Sequence, residues 1–355
     1  MKQYIAFDVH KNYTLATVET EDGKKLLEGK VSHQHGAFEA FLGRCQPGGS
    51  VAIETVGNWY WVADEIERAG FRPLLVNARK AKHRMDNGNK TDRLDNHGMN
   101  MLQRCGTLPT VWIPTAELRD QRELPRTRMI LVRQRTQVKN RILTTFGKYG
   151  WVLNDVSDPF GKKGRAFLEQ HLPHLPAHTQ AAVRCMFTDL DCINAQITAL
   201  EARMNEVFAS LPEHELLRSL PGIGHLLAVV IWTEVGTMDR FARAANFASY
   251  SGVVPRVISS GGKTRFGKLR SDVNRYLKWA FLEAANAVVM NAAKYPDRHV
   301  TQLYRRIKHK RGYQKAVGAV ARHLAEATFW VLTKKESYRE PESPTGKQAR
   351  YAHES

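Results

Sequence analysis

Two aspartates stand three residues apart, Asp92 and Asp95, in the stretch GNKTDRLDNHGMNML at 88–102. That spacing puts both carboxylates on one face of a helix. Two further acids sit where patterning does not call for them: Asp8 interrupts the apolar run IAFDVH, and Glu54 ends VAIET. Brought together, four carboxylates would repel and raise one another's pKa unless a cation neutralised them. Magnesium or manganese, hard ions that prefer oxygen ligands, would do so. A pair of such ions can activate a nucleophile and stabilise a leaving oxygen in phosphoryl transfer. Taken singly, each acid reads as an ordinary strand-end or turn residue.

The elements that must position these groups follow from the pattern around them. Runs at 4–10, 14–21 and 25–31 read as short strands in an antiparallel meander, with an acidic DG turn signal between the last two. A helix at 37–45, a strand at 50–55, a helix at 59–70 and a strand at 72–78 come next, and the Asp92/Asp95 helix closes the set. The order is that of an α/β domain on a mixed sheet, over residues 1–115.

From 116 to 210 the pattern turns helical. Leu124, Leu131 and Val138 fall seven apart, with Ile142 four further on; Ile193, Ile197, Leu200, Met204 and Val207 repeat at steps of four and three. Such narrow seams predict an antiparallel helical hairpin or coiled coil, a candidate dimerisation element, with Pro125 kinking or restarting its first helix. Arg119, Arg122, Arg126, Arg133, Lys139 and Arg141 crowd that helix with few acids among them, the composition of a phosphate-contacting face.

Residues 211–334 form a mostly helical third region. LPGIG before an apolar run resembles a helix-hairpin-helix, whose glycines let backbone amides approach phosphate; a tight turn between packed helices explains it nearly as well. SSGGKTRFGKLR, with Lys263 and Arg265, reads by itself as a flexible basic loop that binds phosphate through its amides. YRRIKHKRGYQK, with Arg305 and Arg306 between Tyr304 and Tyr313, suits single-stranded or folded nucleic acid. The polar stretch 335–355 has almost no core formers and is expected to be disordered.

Composition narrows the function classes. A formal net charge of +18, concentrated beyond residue 115, points to a polyanionic partner. No run approaches the roughly 18 apolar residues of a membrane span, and the first residues do not form a secretory signal, so the expected compartment is the cytoplasm. Cys45, Cys105, Cys185 and Cys192 show neither CxxC pairing nor metal-ligand spacing.

A strand aspartate in a meander, a glutamate ending the fourth strand and a late helix with D-x-x-D together resemble the RuvC and RNase H-like nuclease fold. More narrowly, YIAFDVHKN, VAIETVGNWYW, NKTDRLDNHGMNML, LRSLPGIGHLLAVVI and YSGVVPRVISSGGKTRFGKLRSDVNRYLKWAFLEAA resemble, in order, the DEDD-type insertion-sequence transposases, which include the Piv invertase. The resemblance implies a catalytic metal-binding set of Asp8, Glu54, Asp92 and Asp95 with Mg2+ or Mn2+. It also implies a serine nucleophile in an S-G motif of the last domain, which Ser260 matches because it directly precedes Gly261; Ser259 stands beside it as the alternative. Donor and target DNA, a structured noncoding guide RNA, and a homodimer assembling to a tetramer are the partners it implies.

Three other readings compete. Sugar kinases and actin-like ATPases also open with a strand aspartate, but no convincing second D-x-G motif follows, and they have no use for Asp92 and Asp95. A RuvC-like nuclease or resolvase would need the carboxylates without Ser260. A non-catalytic nucleic-acid binder accounts for the basic charge but not for the acids.

Overall fold

The computed structural model describes residues 2–85, 92–154, 156–270 and 272–341; the side chains of Asp92 and Arg93 lie outside that description. The chain divides into two compact units, Met1–Pro114 and Thr115–Ser355.

The first unit is built from β1 (Tyr4–Val9), β2 (Tyr13–Glu19), β3 (Lys25–Ser32), α1 (Ala37–Leu42), β4 (Ser50–Glu54), α2 (Trp59–Arg68), β5 (Arg72–Val76), α3 (Ala78–Met85), α4 (Asp92–Arg104) and β6 (Thr110–Val111). Among the described residues these strands form one mixed sheet in the order β3-β2-β1-β4-β5-β6. β1 runs antiparallel to β2 and parallel to β4. The expected mixed α/β sheet is therefore present. The basic run at 79–84 forms a helix of its own, and the short β6 joins the far edge.

Both faces of the central strands are covered, which is why β1 and β4 read as nearly unbroken apolar runs rather than alternating ones. Ile5, Phe7, Val9, Val51 and Ile53 pack with Phe38, Phe41, Val62 and Ile66 on one face. On the other, Ala6, Ala52 and Val76 meet Ala81, Met99 and Leu102. Alanine at positions 6 and 52 leaves room for a helix to come close to the strand backbones.

The second unit comprises α5 (Ala116–Gly147), α6 (Lys162–His171) with a 3-10 turn at Leu172–His174, α7 (Ala177–Phe208), α8 (Pro212–Arg218), α9 (His225–Val235), α10 (Ala244–Tyr250), β7 (Pro255–Ser260), β8 (Lys263–Leu269), α11 (Arg275–Met290), α12 (His299–Arg311) and α13 (Tyr313–Lys334). α5 and α7 pack against each other. Pro125 does not restart α5, which continues through it from the Thr115 cap to Gly147. Toward the end of α5, Ile142 and Phe146 pack with α6 and with Val183, Phe187 and Leu190. A larger core gathers α8 to α13 around Ile231, Phe247, Phe281 and Leu324.

Two expectations change here. The loop expected at SSGGK is the turn of a β-ribbon, β7–β8. Residues 335–341 are ordered against the helices: the Tyr338 amide donates to Ser219 Oγ at 2.8 Å, and the His299 amide donates to Glu340 Oε2 at 2.9 Å. One half-buried tyrosine supplies the anchor that composition hid. Residues 342–355 lie outside the described residues.

Candidate functional site

Ala6 and Asp8 share one face of β1, as Ala52 and Glu54 share one face of β4, because side chains alternate along a strand. Phe7 lies opposite Ile53 in the parallel pairing, so Asp8 and Glu54 are the next step on each strand, side by side on the face that α4 covers. The direction of α4 is set by side-chain amides. Gln103 donates to the Ile5 carbonyl at 2.8 Å and Asn100 to the Thr17 carbonyl at 3.3 Å. Asn96 donates to the Leu15 carbonyl at 2.8 Å and to Thr17 Oγ1 at 3.1 Å. Its C-terminal end therefore lies over the start of β1, and its first turn, with Asp92 and Asp95, lies toward the strand end that carries Asp8. At its other end, buried Glu19 is held by Arg104 and by His97 Nδ1, the latter at 2.9 Å.

Asp8 is largely buried and His10 Nε2 lies 3.2 Å from its Oδ2. His10 lies outside the candidates that spacing points to; its position two residues beyond Asp8, just past the end of β1, is a signal only once the facing of that strand is known. Asp95 and Glu54 are half-buried. Among the described residues no group of three or more His, Cys, Asp and Glu side chains is close enough to hold a metal ion; the fourth expected ligand, Asp92, has its side chain outside them. The donors present are carboxylate oxygens, the type a hard divalent ion takes. Beside them the buried Oδ1 of Asn96 has no hydrogen-bond partner among the described residues, an oxygen left over for water or a hydrated ion.

In the second unit, Ser260 ends β7 and pairs with Lys263 across a two-residue turn. Gly261 and Gly262 both take positive φ, 55° and 74°, as a type I′ hairpin turn requires. Ser260, Lys263 and Arg265 are exposed. Ser259 Oγ is 3.4 Å from Thr264 Oγ1. At the base of the ribbon the Arg270 guanidinium holds the Asp272 carboxyl well below the usual carboxylate range.

The arginines of α5 separate into two groups. Arg119 and Arg122 are buried, and Arg126 is half-buried. Arg122 donates to the backbone carbonyls of Thr233 at 2.7 Å and Glu234 at 3.0 Å, satisfying the open C-terminal end of α9. Arg126 forms a bidentate pair with the buried Glu234 carboxylate at 2.8 and 3.0 Å. These three were expected to be open phosphate ligands; Arg119 is buried instead, and Arg122 and Arg126 turn inward because a helix end and a buried acid need donors. Arg133 and Arg141 remain exposed, as do Arg305 and Arg306, while Lys139 lies 4.9 Å over the Phe160 ring.

The LPGIG turn serves packing. Gly222 has φ 79°, and a Cβ there would lie 2.3 Å from the Ala284 carbonyl oxygen of α11. After the turn, His225 Nδ1 lies 2.9 Å from His214 Nε2. Burial, reinforced by the facing ring, depresses the His214 pKa; burial and then Arg218 depress that of His225.

No helix among the described residues is long and apolar enough to cross a membrane. Sequence comparison places these features in a family. The transposase of insertion sequence element IS1111A from Coxiella burnetii is 25% identical over 294 residues, covering 82% of this chain and 79% of that protein. The transposase of insertion sequence element IS1328 from Yersinia enterocolitica is 23% identical over 336 residues, 93% of this chain and 96% of its own length. The DEDD transposase model of the IS110 group matches residues 5–149, and the transposase model of the IS116/IS110/IS902 family matches 214–301. The first match contains Asp8, Glu54, Asp92 and Asp95, the second contains Ser260, and the chain belongs to the IS110 family of DEDD transposases.

Proposed function

We propose that this chain is an insertion-sequence transposase that cuts and rejoins DNA through a covalent link between Ser260 and a DNA phosphate. Asp8, Glu54, Asp92 and Asp95 serve a RuvC-like site. The observation that carries the reading is the alignment of Asp8 and Glu54 on one sheet face, beneath a helix whose amides fix its first turn at the same level. When bound there, Mg2+ or Mn2+ would supply charge neutralisation and Lewis acidity at the phosphate.

In the step assigned to Ser260, its Oγ forms a bond to phosphorus, one bridging P–O bond breaks, and the serine proton is given up as the departing strand end is released as a hydroxyl. A second hydroxyl reverses the exchange on a new partner strand and restores the serine. One phosphodiester is broken and one is made, so no nucleotide triphosphate is consumed. Lys263, paired with Ser260 across the turn, brings an ammonium to the same phosphate. A serine hydroxyl needs its proton removed as attack begins. The acting form in this reading is a homodimer assembling to a tetramer on donor and target DNA. The exposed cations of α12 suit a structured RNA partner from the same element.

The test is to incubate the protein with donor and target duplexes, Mg2+ or Mn2+ and the element's flanking RNA, denature, and look for DNA attached to protein. Ser260→Ala should abolish the adduct and Ser259→Ala should not. Recombination by Ser260→Ala would overturn the serine assignment, and cleavage without any adduct would leave a hydrolytic nuclease in its place. Purified protein carrying no specific RNA would count against the guide.

A further inference from the structure

The β7–β8 ribbon has two unlike faces. Register and alternation place Val257 opposite Phe266 and Ser259 opposite Thr264 on one of them. Ile258 opposite Arg265, and Ser260 opposite Lys263, occupy the other. Val257 is 57% and Phe266 66% exposed, so a cross-strand apolar pair of the kind that normally stabilises a covered sheet faces outward here. The strands carry four cations, Arg256, Lys263, Arg265 and Lys268, and no Asp or Glu. Asp272, at the ribbon's base, is engaged by Arg270. A projecting, wholly cationic ribbon with an apolar face is shaped for a polyanion that also offers apolar contacts.

We infer that this ribbon enters the major groove of B-form DNA, with Val257 and Phe266 against thymine methyl groups and the Ser259 and Thr264 hydroxyls at base edges. The inference rests on the transposase reading for its choice of DNA. The major groove of B-DNA admits a two-stranded ribbon, and the thymine methyl is its apolar feature, whereas the A-form RNA major groove is too deep and narrow to be read this way. On the opposite face Lys263 and Arg265 then point toward the phosphate wall, the side on which Ser260 stands.

Removing a methyl group from the DNA tests this without altering the protein. Binding of the full-length chain would be measured on an alternating A·T duplex, on the same duplex with deoxyuridine for thymine, and on the corresponding A·U RNA duplex. Wild type should prefer thymine over uracil by roughly fourfold per contacted methyl, the ratio that burying one carbon group gives. Phe266→Ala should collapse the ratio toward one, with the larger loss of affinity on the thymine duplex. Lys263→Ala with Arg265→Ala should weaken both DNA duplexes alike and lower the salt slope by about 2. Equal binding of the two DNA duplexes by wild type, or a preference that survives Phe266→Ala, would overturn the proposal. So would RNA binding as tight as DNA and equally dependent on Phe266, or a change in oligomeric mass on Phe266→Ala with the ratio intact. Ser260→Ala should keep the ratio. A methyl preference without an adduct therefore sinks only the serine reading, and an adduct without a methyl preference sinks only this one.

Discussion

Asn96 reaches the carbonyl of Leu15, the residue that faces Asp8 across the β1–β2 ladder. One amide thus ties the first turn of α4 to the strand position of the first carboxylate. Ala6 and Ala52 make that approach possible by leaving no bulk beneath the helix. Ala52→Leu is expected to lift α4, costing about 2 kcal/mol by overpacking and reducing adduct yield, without touching a carboxylate. Chemical denaturation and the adduct assay together check it.

Asp8→Asn and Asp95→Asn should each abolish DNA cleavage while leaving the melting temperature within a few degrees of wild type, because only charge is removed. Cleavage at the wild-type rate by either variant would remove that residue from the proposed site.

Glu234 is the buried anion that ties α5, α9 and the start of α11 together. It accepts from Arg126 and from Asn274, whose Oδ1 also caps α11 by accepting the amides of Tyr276 and Leu277. Arg126→Ala leaves that carboxylate short of its main partner and should cost about 3 kcal/mol, with urea unfolding as the measure. The same change at exposed Arg133 should cost less than about 0.5 kcal/mol.

Turn glycines of like sequence should behave differently. Gly222→Ala drives a Cβ into the Ala284 carbonyl at a positive φ and is expected to destabilise severely, by about 3 kcal/mol or more. Gly261→Asn meets nothing within 4 Å and suits a type I′ turn, so stability should be unchanged. Thermal melts of the two variants make the comparison.

The His214–His225 pair makes stability pH-dependent. Both folded-state pKa values are lowered, so the unfolded chain takes up protons first. Stability is complete above about pH 6.5, the ordinary histidine value, and falls as pH drops below it until the folded-state values are passed. His225→Gln should flatten that part of the melting-temperature profile; an unchanged slope would assign it to other groups.

The sheet was legible in sequence because β1 to β5 are short apolar runs bounded by turn signals, and D-x-x-D announced α4. The ribbon is hard to read because Ser259-Ser260-Gly261-Gly262 suits a phosphate-binding loop as well as a turn; Gly-Gly between runs that hold β-branched residues is also a hairpin signal. The inward-facing α5 arginines are illegible for a different reason. Arg119, Arg122 and Arg126 do share a helix face, but the acid that claims Arg126 lies 108 residues away, beyond any local pattern. His10 is legible only after the facing of β1 is known, because a lone histidine just past a strand does not by itself say which side it serves.

The Gly261–Gly262 turn makes Ser260 the last side chain before two residues of bare main chain. On that flank a DNA backbone would meet nothing bulkier than a peptide plane. The proposed nucleophile therefore has its clearance built into the turn, and any residue with a large side chain at 261 or 262 would crowd the approach of substrate even where the hairpin itself still formed.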